Sequence, residues 1–264
     1  MQLAGRTILL TGATGGLGHA IAQAFAARGA RLVLTGRRPE VLESLAASMP
    51  DAVVAPADLT DPASLRALAE AHPDVDVVVA NAAMPGSGRL ESFTEEQIDR
   101  VLDVNLRAPI LLSRLYVPSM RERGSGHFVF MSSLSGRAPV AGAALYAATK
   151  FGLRGFGASL RADLHGTGIG VSIVSPGFVH DAGMFAESGA ELPYGFRTVS
   201  PEQVADATIS AVERDRGEVT VAPLELRLGT ALAAVAPDLA SKVSNRLGGE
   251  RIAERMAEGQ ADKR

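Results

Sequence analysis

Tyr146 and Lys150 stand four residues apart in a stretch, Ala143 to Phe156, whose Ala, Leu and aromatic content reads as helix, so both side chains share one face. An ammonium beside a phenol favours the phenolate and lowers its reference pKa of about 10, which makes Tyr146 a candidate acid/base at neutral pH. Ser133 closes the apolar run HFVFMSS and can hydrogen-bond an oxygen held by Tyr146, polarising a carbonyl or steadying an alkoxide. The chemistry open to this trio is at a C–O bond. Taken alone, Tyr-x-x-x-Lys is also a common accident of a helix surface and Ser-Ser a common strand end, so the trio needs a fold that brings a reactant to it.

Seven short apolar runs alternate with longer helical patterns: Thr7 to Leu10, Arg31 to Leu34, Ala52 to Ala55, Val75 to Ala80, His127 to Met131, Ile169 to Val174 and Glu218 to Val221. Continuous runs such as DVDVVVA belong to strands buried on both faces. The chain is therefore expected to be α/β, a Rossmann-like, doubly wound, parallel seven-stranded sheet, with ligands outside the carboxyl ends of the strands. The first run leads into TGATGGLG, where Gly12, Gly16 and Gly18 offer bare backbone and a helix N-terminus to a phosphate. A tight βα turn that needs glycine only for its dihedrals would look the same.

With these residues in place, the chain from Thr7 to Gly177 resembles the short-chain dehydrogenase/reductase family. Thr11-Gly12-x-x-x-Gly16-x-Gly18 resembles its cofactor turn, Asp58 its adenine contact, and Asn81-Ala82-Ala83 its N-A-G element. Ser133, Tyr146 and Lys150 resemble its active site, Asn105 its water-holding asparagine, and Pro176-Gly177 its turn near the nicotinamide. The resemblance implies a catalytic set of Asn105, Ser133, Tyr146 and Lys150, in which the tyrosine is the acid/base, the lysine lowers its pKa and holds the nicotinamide ribose, and the serine orients the substrate oxygen. It also implies a cofactor site of Thr11, Gly12, Thr14, Gly16, Leu17, Gly18, Asp58, Leu59, Asn81, Ala82, Tyr146, Lys150, Pro176, Gly177 and Val179, joined by Arg37 and Arg38. Those arginines follow Gly36, where an NAD-preferring enzyme would offer a carboxylate to the ribose, and either can grip a 2′-phosphate. The expectation is NADP, with NAD as the alternative.

Three departures from the family pattern stand out: Met84 in place of a glycine, Asp181 in place of a threonine that contacts the carboxamide, and VAPLELRLG with a further tail in place of a D-G-G ending. Residues 1–222 are expected to form the dinucleotide-binding catalytic domain and 223–264 a helical extension packed on it. Met184, Phe185, Leu192, Tyr194 and Phe196 are too apolar for a fully exposed loop and occupy the family's lid position. In the tail, Leu232, Val235, Leu239, Val243 and Leu247 recur at helical steps, broken near Pro237, and are expected to pack beside that lid. The substrate expected from such walls is a bulky hydrophobic alcohol or ketone. Reaction at a C=C bond, epimerisation of a carbinol, or a non-catalytic NADP sensor remain alternatives on the same fold.

Composition excludes other classes. The 264 residues carry a formal charge of −3 and no basic run, which argues against nucleic acid, and no apolar stretch reaches membrane-spanning length. Cysteine is absent, so thiolate and disulfide chemistry is closed, and His19, His72, His127, His165 and His180 lack metal-ligand spacing, so no metal is expected. No secretory signal precedes the first strand, and a cytoplasmic location is the default expectation. Lys242 and Arg246 are too few to draw the tail to a bilayer. The helical stretches Glu95 to Leu115 and Ala143 to His165 resemble the family's dimer helices, so a homodimer, or beyond it a homotetramer, is expected.

Overall fold

A computed structural model of the protein describes residues 1–190, 192, 195–246 and 249–260. The seven apolar runs become β1 (Thr7–Thr11), β2 (Arg31–Thr35), β3 (Val53–Val54), β4 (Val77–Ala80), β5 (Gly126–Met131), β6 (Ile169–Pro176) and β7 (Glu218–Val221). They form one parallel sheet in the order β3-β2-β1-β4-β5-β6-β7, as the alternation predicts. The order reverses between β1 and β4, which opens a crevice at their carboxyl ends. At the edge, β3 is shorter than its apolar run. Val53 is 47% exposed there, and the chain beyond it keeps only single bonds to β2's end, Ala55 N–H to Leu34 and Ala57 N–H to Gly36.

The helices are α1 (Gly16–Ala26), α2 (Pro39–Ala46), α3 (Pro62–Ala71), α4 (Glu95–Leu102), α5 (Ala108–Arg123), α6 (Ala144–Asp163), α7 (Gly183–Ser188), α8 (Pro201–Glu213), α9 (Leu224–Val235), α10 (Pro237–Arg246) and α11 (Gly249–Glu258). Side chains alternate across each strand, so Ile8 and Leu10 pack with Phe25 of α1 and Ile209 of α8, while Leu9 joins Phe128, Leu112 of α5 and Leu153 of α6 on the other face. Each such fully buried side chain contributes roughly 1.5 to 3 kcal/mol. This two-sided core holds the strand ends rigid.

The predicted helix from Glu95 to Leu115 is not one regular element. Thr94 and Gln97 form a capping box that starts α4, the turn Asp103–Arg107 widens to a π-helix, and α5 continues to Arg123, where Gly124 in the left-handed conformation closes it. The widening coincides with Asn105, whose side chain is drawn to the Met84 backbone.

The tail breaks at Pro237, as predicted, and of the predicted stripe Leu232 packs inward while Val235 and Leu239 do not. Val235 is 82% and Leu239 53% exposed, whereas Leu226, Leu232, Ala233 and Ala240 face the cavity described below. Leu247 and, in the lid, Tyr194 lie outside the described residues. Beyond α10 the tail continues as α11, which carries Ile252 and Met256 four apart, and both face that cavity. No helix among the described residues is long and apolar enough to cross a membrane.

Candidate active site

A cavity of about 1350 Å³ lies outside the carboxyl ends of β1, β4, β5 and β6. Its floor begins with the glycine turn. Gly12 has φ +67° and a Cβ there would stand 2.7 Å from the Cα of Ala82, while a Cβ on Gly18 would collide with the Gly12 carbonyl oxygen. Only glycine lets β1, the segment after β4 and α1 approach so closely. Gly15 caps α1 without a side-chain bond and the first turn carries no acid, so its N–H groups and dipole face the cavity.

Thr11 does not line the cavity; it is buried and staples two strand ends. Its hydroxyl accepts from Asn81 N–H and Ala82 N–H, each at 3.0 Å, and the Asn81 amide donates back to the carbonyls of Thr11 (3.1 Å) and Gly12 (3.3 Å). Thr14, Gly16, Leu17, Gly18, Arg37, Arg38, Asp58, Leu59, Asn81, Ala82, Pro176, Gly177 and Val179 all line the cavity. Arg38 donates to the Thr14 carbonyl at 2.8 Å, which holds the guanidinium beside the turn. The Thr60 N–H and hydroxyl both donate to Asp58 (2.9 and 2.8 Å), and with Arg37 nearby they keep its carboxyl below the usual range.

The reactive trio sits where β5 ends. Ser133 caps a 3₁₀ turn, Leu134–Gly136, by accepting from Ser135 N–H at 3.1 Å, and its hydroxyl faces the Tyr146 phenol. Tyr146 and Lys150 lie on one face of α6, with the Lys150 ammonium 5.5 Å from the Tyr146 ring centroid. Lys150 is 2% exposed and donates to the Met131 carbonyl at 2.8 Å. The expected depression of the phenol is not what this geometry yields. Burial pushes Tyr146 up to about 12, opposed by its Ser133 hydrogen bond, and burial pulls Lys150 down to about 8. The ammonium lies over the ring and is tied to β5, so desolvation of both groups outweighs their attraction.

Asn105 does not line the cavity. It accepts from Met84 N–H (2.6 Å) and donates to the Met84 carbonyl (2.9 Å) and to Thr149 (3.4 Å), so its side chain fixes the segment after β4. Met84 departs from the family glycine without a left-handed backbone, and its side chain packs with Phe93, Val101 and Leu145. Asp181 has φ +62° and an exposed carboxylate 3.6 Å from His180, away from the cavity wall. Sequence reasoning did not single out Thr149, which also donates to the Tyr146 carbonyl at 2.8 Å; its only signal was a hydroxyl one residue before Lys150.

The family profile described as short chain dehydrogenase matches residues 6–193. The chain belongs to the short-chain dehydrogenase family. Relatives of this chain include the ketoacyl reductase HetN of Nostoc sp., 35% identical over 83% of this chain and 79% of that protein. The 1-deoxy-11-beta-hydroxypentalenate dehydrogenase of Streptomyces avermitilis is 36% identical over 87% of this chain and 89% of that protein. Among solved structures, a short-chain dehydrogenase from Sphingobium yanoikuyae in complex with NADPH superposes with a TM-score of 0.77 at 30% identity, covering 89% of this chain and 94% of that one. The dehydrogenase profile stops short of α8 to α11.

Proposed function

We propose that this chain is an NADP-dependent oxidoreductase that interconverts a secondary alcohol and a ketone on a bulky apolar substrate. The observation that carries the reading is the continuity of one cavity, from the glycine turn past Ser133, Tyr146 and Lys150 to an apolar wall of Met184, Phe185, Leu192, Phe196, Leu226, Ile252 and Met256. That wall comes from the lid and the tail, and α7 is tied to the end of β6 by the Phe178 and Phe185 rings, 4.8 Å apart. Apolar walls with a few convergent polar groups suit a hydrophobic ligand with one reacting oxygen.

The residues present fit the cofactor. The crowded Gly12–Gly18 turn and uncapped α1 N-terminus suit a pyrophosphate, Arg37 and Arg38 suit a 2′-phosphate, and no carboxylate stands at Gly36 to prefer a free ribose hydroxyl. The NADPH-bound relative supports the same choice. When bound, the nicotinamide supplies or accepts the hydride. Ser133 donates a hydrogen bond to the substrate oxygen, and Tyr146 gives that oxygen its phenolic proton in reduction and recovers it in oxidation. With its phenol pushed up to about 12, Tyr146 is protonated at neutral pH, so reduction starts from the resident state of the acid. Lys150, oriented by the Met131 carbonyl, stabilises the phenolate that the transfer leaves behind.

The test is a panel of ketones, enones and secondary alcohols with NADPH and NADH. We expect turnover of apolar ketones with NADPH, and a loss of about 10² to 10⁴ in turnover for Tyr146→Phe with NADPH affinity little changed. Near wild-type turnover in Tyr146→Phe removes the acid/base assignment, and turnover confined to enones removes the ketone reading.

A further inference from the structure

Helix α7 cannot stand by itself. It has six residues, no side-chain cap at Ala182 and no charge placed to complement either end, and an isolated helix is marginal even at roughly 12 to 15 residues. Left-handed glycines bound it, Gly183 at φ +79° and Gly189 at φ +66°. Its place must therefore come from neighbours. On the near side of Gly183, Ala182 is packed on the glycine turn so closely that a Cβ on Gly16 would stand 2.9 Å from its own Cβ. Beyond Gly183, α7 packs among the described elements chiefly against α11 of the tail. Two contacts fasten that pair. Gln260, just past α11 and 1% exposed, donates from Nε2 to the Met184 carbonyl at 2.7 Å, and only the NH₂ side of an amide can do so. At the other end of α7, a Cβ on Gly259 would collide with the Ser188 carbonyl oxygen and stand 2.7 Å from the Ser188 Cα. The tail thus grips α7 in its first turn and at its last residue.

A long amide side chain loses much rotamer freedom when buried, and the Gln260 Oε1 has no partner among the described residues, so the Met184 bond is what its burial gains. We propose that Gln260 is a positioning residue for the substrate half of the cavity. Acting through the Met184 backbone, it holds α7 against α11, so that Met184 and Phe185 of one helix and Ile252 and Met256 of the other make a single wall. This rests on the reading of the site as a ketone/alcohol oxidoreductase. The clamp is separate from the chemistry: Ser133, Tyr146 and Lys150 stand on the end of β5 and on α6, and the glycine turn keeps its contact with Ala182 whether or not α7 swings about Gly183. A ketone long enough to reach the wall feels the clamp. A short one that fills only the space beside Tyr146 does not.

The test reduces straight-chain 2-alkanones of graded length with NADPH, using the full-length protein, and follows hydrogen exchange over α7. Gln260→Met keeps the volume and removes the donor. It should raise KM for long ketones over KM for short ones by roughly two- to tenfold, the usual worth of one neutral hydrogen bond, with kcat affected far less. Exchange over α7 should speed up in the same variant. Gly259→Ala leaves the amide in place but forces the tail off Ser188, and it should give the same split; it also takes the place of Gln260→Met if that variant does not fold. A merely structural role would lower the Tm and leave the ratio of the two KM values where it was. Folded variants that shift KM for short and long ketones by the same factor, or shift neither, therefore overturn the proposal and leave the reductase reading intact. Absence of turnover on any ketone by the wild type overturns the reductase reading instead. The clamp is then read by exchange alone: faster exchange over α7 in the variants supports it, and unchanged exchange overturns it.

Discussion

Replacing Lys150 by methionine should abolish turnover and, in the cofactor-free protein, make stability less sensitive to alkaline pH. The ammonium is 2% exposed and its pKa falls from the ordinary 10.5 to about 8 through burial. At about 1.4 kcal/mol per pKa unit, that drop corresponds to roughly 3 kcal/mol of folding free energy at neutral pH. The sign follows from proton uptake. The unfolded lysine binds its proton more tightly, so unfolding takes up a proton between about pH 8 and 10.5, and the wild type gains stability as pH rises through that window. Methionine cannot titrate. Its advantage over lysine should therefore shrink by about 2.5 kcal/mol between pH 7 and pH 10. The absolute advantage at pH 7 is smaller than 3 kcal/mol, because the Met131 carbonyl loses the 2.8 Å bond from Nζ and an unpaired buried carbonyl costs about 1 to 3 kcal/mol. Urea unfolding of both proteins at the two pH values reads the difference directly. A wild-type-to-variant gap that is the same at pH 7 and pH 10 refutes the argument, since it would mean that Lys150 keeps an ordinary pKa when folded.

Cofactor choice can be read by calorimetry: NADPH should bind more tightly than NADH by roughly 1.5 to 3 kcal/mol per charge-assisted bond, and Arg37→Ala or Arg38→Ala should narrow the gap, whereas equal affinities for the unmutated protein contradict the assignment. His127, buried beside Ser172 at 2.8 Å and pulled down to about 4 mainly by desolvation, with the amino terminus and Arg161 assisting and Asp215 opposing, takes up a proton on unfolding between about pH 4 and 6.5. Stability should therefore fall as pH drops through that window, His127→Gln should flatten the loss, and an imidazole that titrates near 6.5 in the folded protein by NMR excludes this account. We also expect a homodimer through α5 and α6, which carry the exposed Ile110 and Phe151; light scattering that gives a monomer at micromolar concentration counts against it.

Much of this molecule was legible in local pattern. Strand identity followed from apolar runs, because a strand buried on both faces must be apolar at consecutive positions, and parallel order followed from the helices between them. The glycine turn and the Ser133, Tyr146 and Lys150 spacing carried the family because those demands are made by a few neighbouring residues on one strand end and one helix. What local pattern could not carry was any property set by desolvation or by distant packing. The four-residue spacing placed an ammonium near a phenol, but whether the phenol's pKa falls or rises depends on how much water both lose, and burial in the assembled site decided that. The resemblance gave Asn105 a water-holding role, and only folding shows its amide spent on the Met84 backbone. The tail's apolar spacing announced a packed helix without saying which face packs, since Val235 and Leu239 fit the stripe yet point to solvent. Gln260 had no signature at all in the sequence. Its importance comes from the Met184 carbonyl and from Ser188, more than seventy residues earlier in the chain, and only tertiary structure brings such partners together.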